Sequence, residues 1–551
     1  MFSLKAAYFY LLAVKIVLFN FLKNIYFRTS LYNRSLKTQL PYQLYFYPNP
    51  FLLSSFVNQK IFTFKLSKIN IDTFWTEHKD AKEEENLNSF FWLNLINRKN
   101  DGLLIQNIIS IWIRKNSKYN KKNWQNLNTS KRILAWILNA DIILKNADRS
   151  FRQNFFNSII YQVNHLKNNI NHENNPVKKI EIISAIILSG LVFKEYNKNF
   201  ELGIKELKNI VESFFDGDGC PVNRNIYDLV QCSKFLILVK ECCKDAQEYI
   251  PDYLDDIVDK LVDSLHSIRT PNHKNPLFNG ASEFGIDFYL EYLTRLEYKE
   301  RKIRDNVAQI HISKGKNFLL FFDVGSPPKK KNSSTYQSGP LSFEYFIDNH
   351  KIITNCGFGN KISSKAELIS RLTSAQSTLC LNDSSATQFE RNSLINKTFG
   401  TSIKASFKVF DFDMIDNISS VSVSAKHDAY KNNFNYIHER KITINKKTGS
   451  LLGEDNLISE NTKKQSVNTY SIRFHLYPGL SAVRTMGKNS VLIQIEKNKS
   501  LVFTAIGENI SLEKSIFLGR NQIINNSCIN VSGILKNNES KKIHWNLKKN
   551  N

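Results

Sequence analysis

Near residue 310 the spacing of apolar residues changes from a helical to an alternating period, and that change divides the chain into two kinds of fold. Upstream, Ile133, Leu134, Ile137 and Leu138 share one helix face, with Thr129 and Ser130 as the expected N-caps. Comparable stripes run from Phe155 to Leu166, Ile180 to Phe193, Ile204 to Phe215, Tyr227 to Val239 and Ile257 to Ile268. No proline falls between Pro50 and Pro176, so long helices can run there unbroken. Pro176 behind Asn175 reads as a first-turn proline behind its cap, and Pro251 beside Asp252 marks another start. Roughly nine or ten helices joined by short polar loops predict an α-solenoid or an α/α toroid.

Downstream, Val421, Val423 and Ala425 alternate with serines, and Val491, Ile493 and Ile495 repeat the pattern. Ile442 to Ile444, a turn containing Gly449, and Leu451-Leu452 read as a hairpin. The pattern continues to Leu535 with no helix expected inside it, which predicts an antiparallel β-sandwich. The expected fold class is α+β multidomain: an N-terminal α/α toroid followed by a C-terminal antiparallel β-sandwich. The expected limits are residues 1–80 for an N-terminal amphipathic segment and extended arm, 81–308 for the toroid and 309–551 for the sandwich. Neither half shows a nucleotide-binding strand, glycine loop and helix.

A formal net charge of +25 favours a polyanionic partner such as an acidic glycan, nucleic acid or an anionic membrane. The lysines are spread over the whole length, and Lys329-Lys330-Lys331 behind two prolines reads as a solvated loop. No nucleic-acid module is recognisable, so nucleic acid is not the expected partner. Seven cysteines without a CxxC pair fit small buried hydrophobes better than a disulfide framework or a zinc knuckle. Phe2 to Leu22 is apolar and aromatic but is interrupted by Lys5 and Lys15, and no small-residue cleavage signal follows it. Residues 2–22 therefore predict an uncleaved amphipathic helix, packed on its own chain or making peripheral contact with a membrane surface.

The segment Arg371-Leu-Thr-Ser-Ala-Gln-Ser-Thr-Leu-Cys-Leu-Asn-Asp383, with His427-Asp-Ala-Tyr430 and His438-Glu-Arg440, resembles the C-terminal β-domain of heparinase II/III-like proteins, a family that contains polysaccharide lyases. Gly339-Pro-Leu-Ser-Phe-Glu344, Asn355-Cys-Gly357, Gly453-Glu-Asp455 and Ile472-Arg-Phe-His475 extend the resemblance. Arg132 to Ile137 around Trp136, Asp218-Gly219 to Arg224, and Asn275-Pro-Leu-Phe-Asn-Gly280 carry it into the helical half.

The resemblance implies a bacterial protein, of alphaproteobacterial type, that acts on a uronic-acid-containing acidic polysaccharide by β-elimination. It implies residence in the cell envelope or periplasm, with the cytoplasm as the alternative because no clear export signal is present, no cofactor, and an oligomeric state left open. Such a reaction needs donors that neutralise the uronate carboxylate, a base for the adjacent proton, and an acid for the leaving oxygen. The family's Asn-His pair falls here near Val177 and Lys178. Gln337, Asn355 and Gln376 replace a histidine, an aspartate and a histidine, so no metal is expected where some members bind zinc. The expected catalytic residues are His427, Tyr430, His438 and Tyr227, the last about one residue early against the family's tyrosine. The expected substrate-binding residues are Arg440, Arg224, Arg371, Gln337 and Gln376. Two alternatives stand beside this reading: the His, Tyr and Arg group stabilises the sandwich as a hydrogen-bonded network, or the chain is a catalytically degenerate glycan-binding protein of the cell envelope. His165 and His172, among many asparagines, read as loop and cap residues.

Overall fold

The computed structural model describes residues 4–57, 74–75, 81–98, 101–460, 467–487, 489–536 and 539–550. Part of the expected arm, residues 58–73 and 76–80, lies outside the described residues. The chain divides into two compact units, Val14–Gly219 with Val230–Leu261, and Met1–Ala13 with Cys220–Leu229 and Val262–Asn551.

Among the described residues twelve α-helices precede the first strand. They are α1 (Leu4–Phe27), α2 (Ser30–Ser35), α3 (Ala81–Ser89), α4 (Gly102–Lys115), α5 (Asn126–Leu138) and α6 (Ala140–Ile143), then α7 (Arg149–Asn169), α8 (Pro176–Val192), α9 (Asn197–Phe214), α10 (Ile226–Asp245), α11 (Asp252–Ser267) and α12 (Ile286–Arg295). The stripes read from the sequence all fall on these helices, the architecture of a helical toroid. Asn175 caps α8 by accepting the Lys178 amide at 3.2 Å, with Pro176 in the first turn. The expected caps of α5 are corrected: the helix begins behind Gln125, and Thr129 and Ser130 lie inside it. Their hydroxyls do interior work instead, as Ser130 donates to Glu181 Oε1 at 2.9 Å.

Two glycines bring α8 and α9 into close contact. A Cβ on Gly190 would lie 2.2 Å from the Phe200 nitrogen, and one on Gly203 would lie 2.4 Å from Ile187 Cγ1. The helical core centres on Trp136, which meets Trp112 edge-on at 5.4 Å and Phe90 at 5.2 Å. Buried Arg132 closes this core by stacking on Trp112 at 4.1 Å and donating to Gln162 Oε1 at 2.6 Å.

The second fold is two antiparallel sheets face to face. Its strands are β1 (Asn306–Val307), β2 (Ile310–Lys314), β3 (Phe318–Asp323), β4 (Phe343–Ile347), β5 (His350–Thr354), β6 (Leu379–Leu381), β7 (Val409–Asp416), β8 (Ser420–His427) and β9 (Tyr436–Asn445). They continue as β10 (Leu451–Ser459), β11 (Asn468–Leu476), β12 (Ser481–Arg484), β13 (Ser490–Glu496), β14 (Lys499–Ala505), β15 (Asn509–Phe517), β16 (Ile524–Leu535) and β17 (Lys541–Lys549). One sheet runs β1-β2-β3-β4-β5-β11-β16-β15 with β6 beside β11, and the other β12-β13-β14-β17-β10-β9-β8-β7. Strand β8 alternates strictly between buried and half-buried residues, as its sequence predicts. Trp545 of β17 joins the layers, stacking on Phe343 at 5.7 Å and meeting Phe474 at 4.8 Å. Gly449 turns the β9–β10 hairpin with a φ of +70°.

The expectation of no helix within the sandwich region is corrected by three short ones, Ser364–Ser370, Ser393–Phe399 and Lys431–Phe434. Ser363 and Asn392 cap the first two locally, and elements of seven residues or fewer are too short to print a helical period. All seven cysteines are buried.

Candidate functional site

The sequence-predicted residues fall into two groups within the sandwich-bearing unit. The first is an interior network. Period-two spacing on β9 turns His438 and Arg440 to the inner face, and β8 ends with His427 beside them. The backbone N–H of Ala429 donates to His427 Nδ1 at 3.2 Å, which leaves the proton on Nε2. That Nε2 donates to His438 Nδ1 at 3.0 Å, and His438 Nε2 in turn donates to Asp455 Oδ1 at 2.7 Å. Arg440 grips Asp455 at 2.8 and 3.1 Å, and its remaining nitrogen donates to the Leu341 and Ser377 carbonyls. Trp545 completes the carboxylate's set with an Nε1 bond at 2.8 Å. Tyr430 donates to the Leu379 carbonyl at 3.0 Å.

His427, His438 and Arg440 are all 0 % exposed and Tyr430 1 %. Burial holds both imidazoles below the usual histidine range, reinforced at His427 by its neighbour His438, so both are neutral at pH 7. Burial pushes the Asp455 carboxyl up, but Arg440 and His438 outweigh it and keep the acid well below its ordinary range. The expected catalytic roles of His427, Tyr430 and His438, and the expected substrate contact of Arg440, are corrected by this enclosure. These atoms are enclosed and each has a partner: His427, His438 and Asp455 link neighbouring strands of one sheet, and Tyr430 reaches β6 of the other.

Arg371 and Arg224 are likewise corrected. Arg371 donates to the carbonyls of Tyr336, Thr401 and Ser333 at 2.6–2.8 Å and stacks on Phe389. Arg224, in the left-handed region at φ +61°, pairs with Asp323 and donates to the carbonyls of Ala308, Gln309, Gly325 and Ser326. Both guanidiniums are buried, and their donors point at main-chain oxygens instead of solvent.

The second group surrounds Tyr227, the half-exposed member of the four expected catalytic residues. Asn225 Oδ1 accepts the Tyr227 amide at 2.8 Å, fixing the first turn of α10 and the direction of the phenol. Phe284 meets the Tyr227 ring edge-on at 6.0 Å, and Lys361 Nζ lies 5.1 Å from the ring centroid. Burial first, and Asp228 second, push the Tyr227 phenol up, so it is protonated at neutral pH. Burial pushes the Asp228 carboxyl up to about 6, against a 2.7 Å hydrogen bond from Asn223 Nδ2.

Beside this turn the loop Asn275–Gly280 packs closely. Gly280 has φ +98°, and a Cβ there would lie 2.7 Å from Thr335 Cβ and 2.8 Å from Asn225 Nδ2. Asn279, 2 % exposed and also in the left-handed region, holds an amide Nδ2 without a hydrogen-bond partner among the described residues, and Thr335 Oγ1 is in the same condition. An unpaired buried donor costs about 1–3 kcal/mol, a local cost of this close packing.

Gln337 and Gln376 form the wall of this region. Gln337 accepts from the Gly280 amide at 2.9 Å and donates to the Gly357 and Ser370 carbonyls. Gln376 donates to the same Ser370 carbonyl at 2.8 Å. The substrate contacts expected of these two amides are corrected: both side chains are 2 % exposed and clamp three loops. Asn355 does similar work, accepting from the Ser377 amide and donating to the Leu277 carbonyl. Amides hold these loops by hydrogen bonds at positions where ionisable residues were expected.

Sequence reasoning missed Lys361, Asn225 and Asp228 as partners of Tyr227, although Asn225 and Asp228 flank it in the chain. Lys361 carried no such signal, because contact with Tyr227 depends on a long-range loop.

The C-terminal part, residues 305–546, matches the family profile "Heparinase II/III-like, C-terminal", and residues 101–297 match "Heparinase II/III N-terminus". A heparan sulfate lyase from Pedobacter heparinus shares the fold at a TM-score of 0.64 and 16% identity, over 89% of this chain and 80% of that one. A structure of heparinase III aligns at a TM-score of 0.65 and 12% identity, over 91% and 84% of the two chains. At these identities the likeness establishes the fold alone. No curated protein matches the sequence. Both family segments are present in order, one on the helical half and one on the sandwich, and the chain belongs to the heparinase II/III-like family.

Proposed function

We propose that the chain is a polysaccharide lyase that cleaves a uronic-acid-containing acidic glycan by β-elimination, with Tyr227 as its proton-carrying residue. The observation that carries this reading is that Tyr227 is half-buried with exposed Lys361 beside its ring, while the other three expected catalytic residues are enclosed. Family membership supports the reaction class. The names of the solved relatives, heparan sulfate lyase and heparinase III, support an acidic polysaccharide, as does the net charge of +25. In this reading the protonated phenol of Tyr227 delivers a proton to the leaving glycosidic oxygen. Asp228, ionised at pH 7 with a pKa of about 6, lies in the range of an effective general base. Lys361, exposed beside the Tyr227 ring, offsets the uronate carboxylate. The cell envelope or periplasm, with residues 2–22 in contact with a membrane, is the setting this reading implies.

Incubation with a panel of acidic glycans, followed by the absorbance of unsaturated uronates, tests the proposal. Tyr227→Phe lowers the rate by on the order of 10²-fold or more, and folded His427→Ala retains it. Loss of signal in His427→Ala alone would overturn the assignment. A second reading, a catalytically degenerate glycan-binding protein, is favoured by one observation: neutral, enclosed His427 and His438 leave the sandwich without a reachable imidazole at the expected site. Glycan retention with no new double bonds in the unmodified protein would select it.

A further inference from the structure

The N-terminal helix α1 is 24 residues long, and its segment Ala7–Phe27 is long and apolar enough to cross a bilayer, roughly 30 Å at 1.5 Å per residue. The structure shows how that surface is distributed. Phe9, Leu12, Ala13, Ile16, Lys23 and Phe27 are buried or half-buried and occupy one sector of the helix. The last turn is fixed, since Phe27 stacks on Tyr32 at 4.3 Å and the Tyr32 hydroxyl bonds His165 Nδ1 at 2.6 Å. Over the remaining circumference, about 200° wide at 100° per residue, the side chains are exposed and mostly apolar. Leu11, Leu18, Phe21 and Leu22 stand 57–67% exposed. Exposed aromatic residues continue into the following segment at Tyr42, Tyr45 and Tyr47. An unpartnered apolar face of this width is not stable in water and marks an interaction surface.

Charge identifies the occupant. The first 71 residues contain no aspartate or glutamate, against nine cations: Lys5, Lys15, Lys23, Arg28, Arg34, Lys37, Lys60, Lys65 and Lys68. Apolar and aromatic residues combined with unopposed cations are the composition that anionic lipid surfaces recognise. A second copy of this chain would bring nine like charges against nine, which disfavours self-association through the same face.

We propose that α1 is a monotopic membrane anchor that keeps its packed sector on the protein and lays its apolar sector into a bilayer rich in anionic headgroups. This deepens the membrane contact proposed above; it rests on that envelope setting and not on lyase activity. The enzyme is thereby held at a lipid surface while its own polyanionic substrate competes for the same basic segment.

Flotation of the purified full chain with vesicles tests the anchor, with glycan cleavage read separately on a soluble substrate. The chain is expected to float with phosphatidylglycerol-containing vesicles more than about tenfold better than with pure phosphatidylcholine, and to lose that preference in high salt. The triple variant Leu11→Glu, Leu18→Glu and Leu22→Glu is expected to stay with the soluble fraction while its cleavage of soluble glycan and its thermal unfolding are unchanged. Three outcomes overturn the proposal. They are equal flotation of the triple variant, a dimer that the variant breaks without any vesicle binding, and a mature chain isolated from cells whose N-terminus begins after Phe27. Vesicle binding without glycan cleavage would sustain the anchor and sink the lyase.

Discussion

The interior of the sandwich and the first turn of α10 hold contrasting versions of an active site. The interior has the richer chemistry: two histidines, an aspartate and an arginine linked in one hydrogen-bonded chain, with the Tyr430 ring against His427. The α10 turn has only a tyrosine, a carboxylate, a lysine and amides. Yet the first is sealed and paired, while in the second Tyr227 and Asp228 are half-buried and Lys361 is exposed. An enclosed side chain whose hydrogen bonds are all made inside the protein stabilises; one with a face toward solvent can bind. Residue type alone does not separate the two cases, and accessibility does.

Cutting the interior network sharpens that contrast most strongly. Arg440→Ala leaves the Asp455 carboxylate buried beside neutral His438 with its cation gone. Removing one partner of such a pair costs about 3–5 kcal/mol, because the remaining charge has lost its compensation and cannot regain water. Denaturant unfolding should show that loss at constant slope, and the folded fraction should keep its specific activity. A variant of unaltered stability with abolished cleavage would instead return this network to the active site.

The sequence carried most of the architecture and little of the site. Helix stripes such as Ile180 to Phe193 and the alternation in β8 were legible because each element buries one face, and burial imposes its period on local sequence. The capped start of α8 was legible for the same reason, since Asn175 and Pro176 act on their own helix. The inward direction of His438 and Arg440 was likewise printed in their period-two spacing. What the spacing could not show is whether the inner face is covered. That depends on Trp545, more than a hundred residues away, and on the second sheet. Lys361 reaches Tyr227 through a loop that Gln337 holds at Gly357 and Ser370. Short-range patterns do not record such contacts.

The two regions also differ in how they answer pH. Asp455 has its folded pKa depressed, so its contribution is present above the ordinary carboxylate range and is lost as pH falls. Asp228 has the opposite sign. Its folded pKa of about 6 lies above the ordinary value of 3.8, so the folded chain binds more protons than the unfolded one between those values. Stability therefore falls as pH rises from about 4 to about 6, by as much as about 3 kcal/mol at 1.36 kcal/mol per unit. Asp228→Asn keeps a partner for Asn223 and removes the titration. Its stability relative to the unmodified chain should climb through that window and level off above it. A flat difference between pH 4 and 7 would show that the Asp228 carboxyl is solvated and ordinary.

The smallest expected effect lies at the rim of the open region. Lys361 is exposed, so salt and water screen its charge, and an exposed pair contributes little. Lys361→Ala should raise KM for an acidic glycan by a few-fold, on the order of 3–10, at low ionic strength. The change in kcat should be smaller, because a cation that holds the carboxylate equally in ground and transition states alters binding alone. Lys361→Arg should restore KM, whereas raising the salt should erase the difference between variant and parent. A fall in kcat that persists at high salt would mean that Lys361 acts on the charge that develops during proton removal, placing it among the catalytic residues beside Tyr227. An unchanged KM at low salt would make it an ordinary surface lysine.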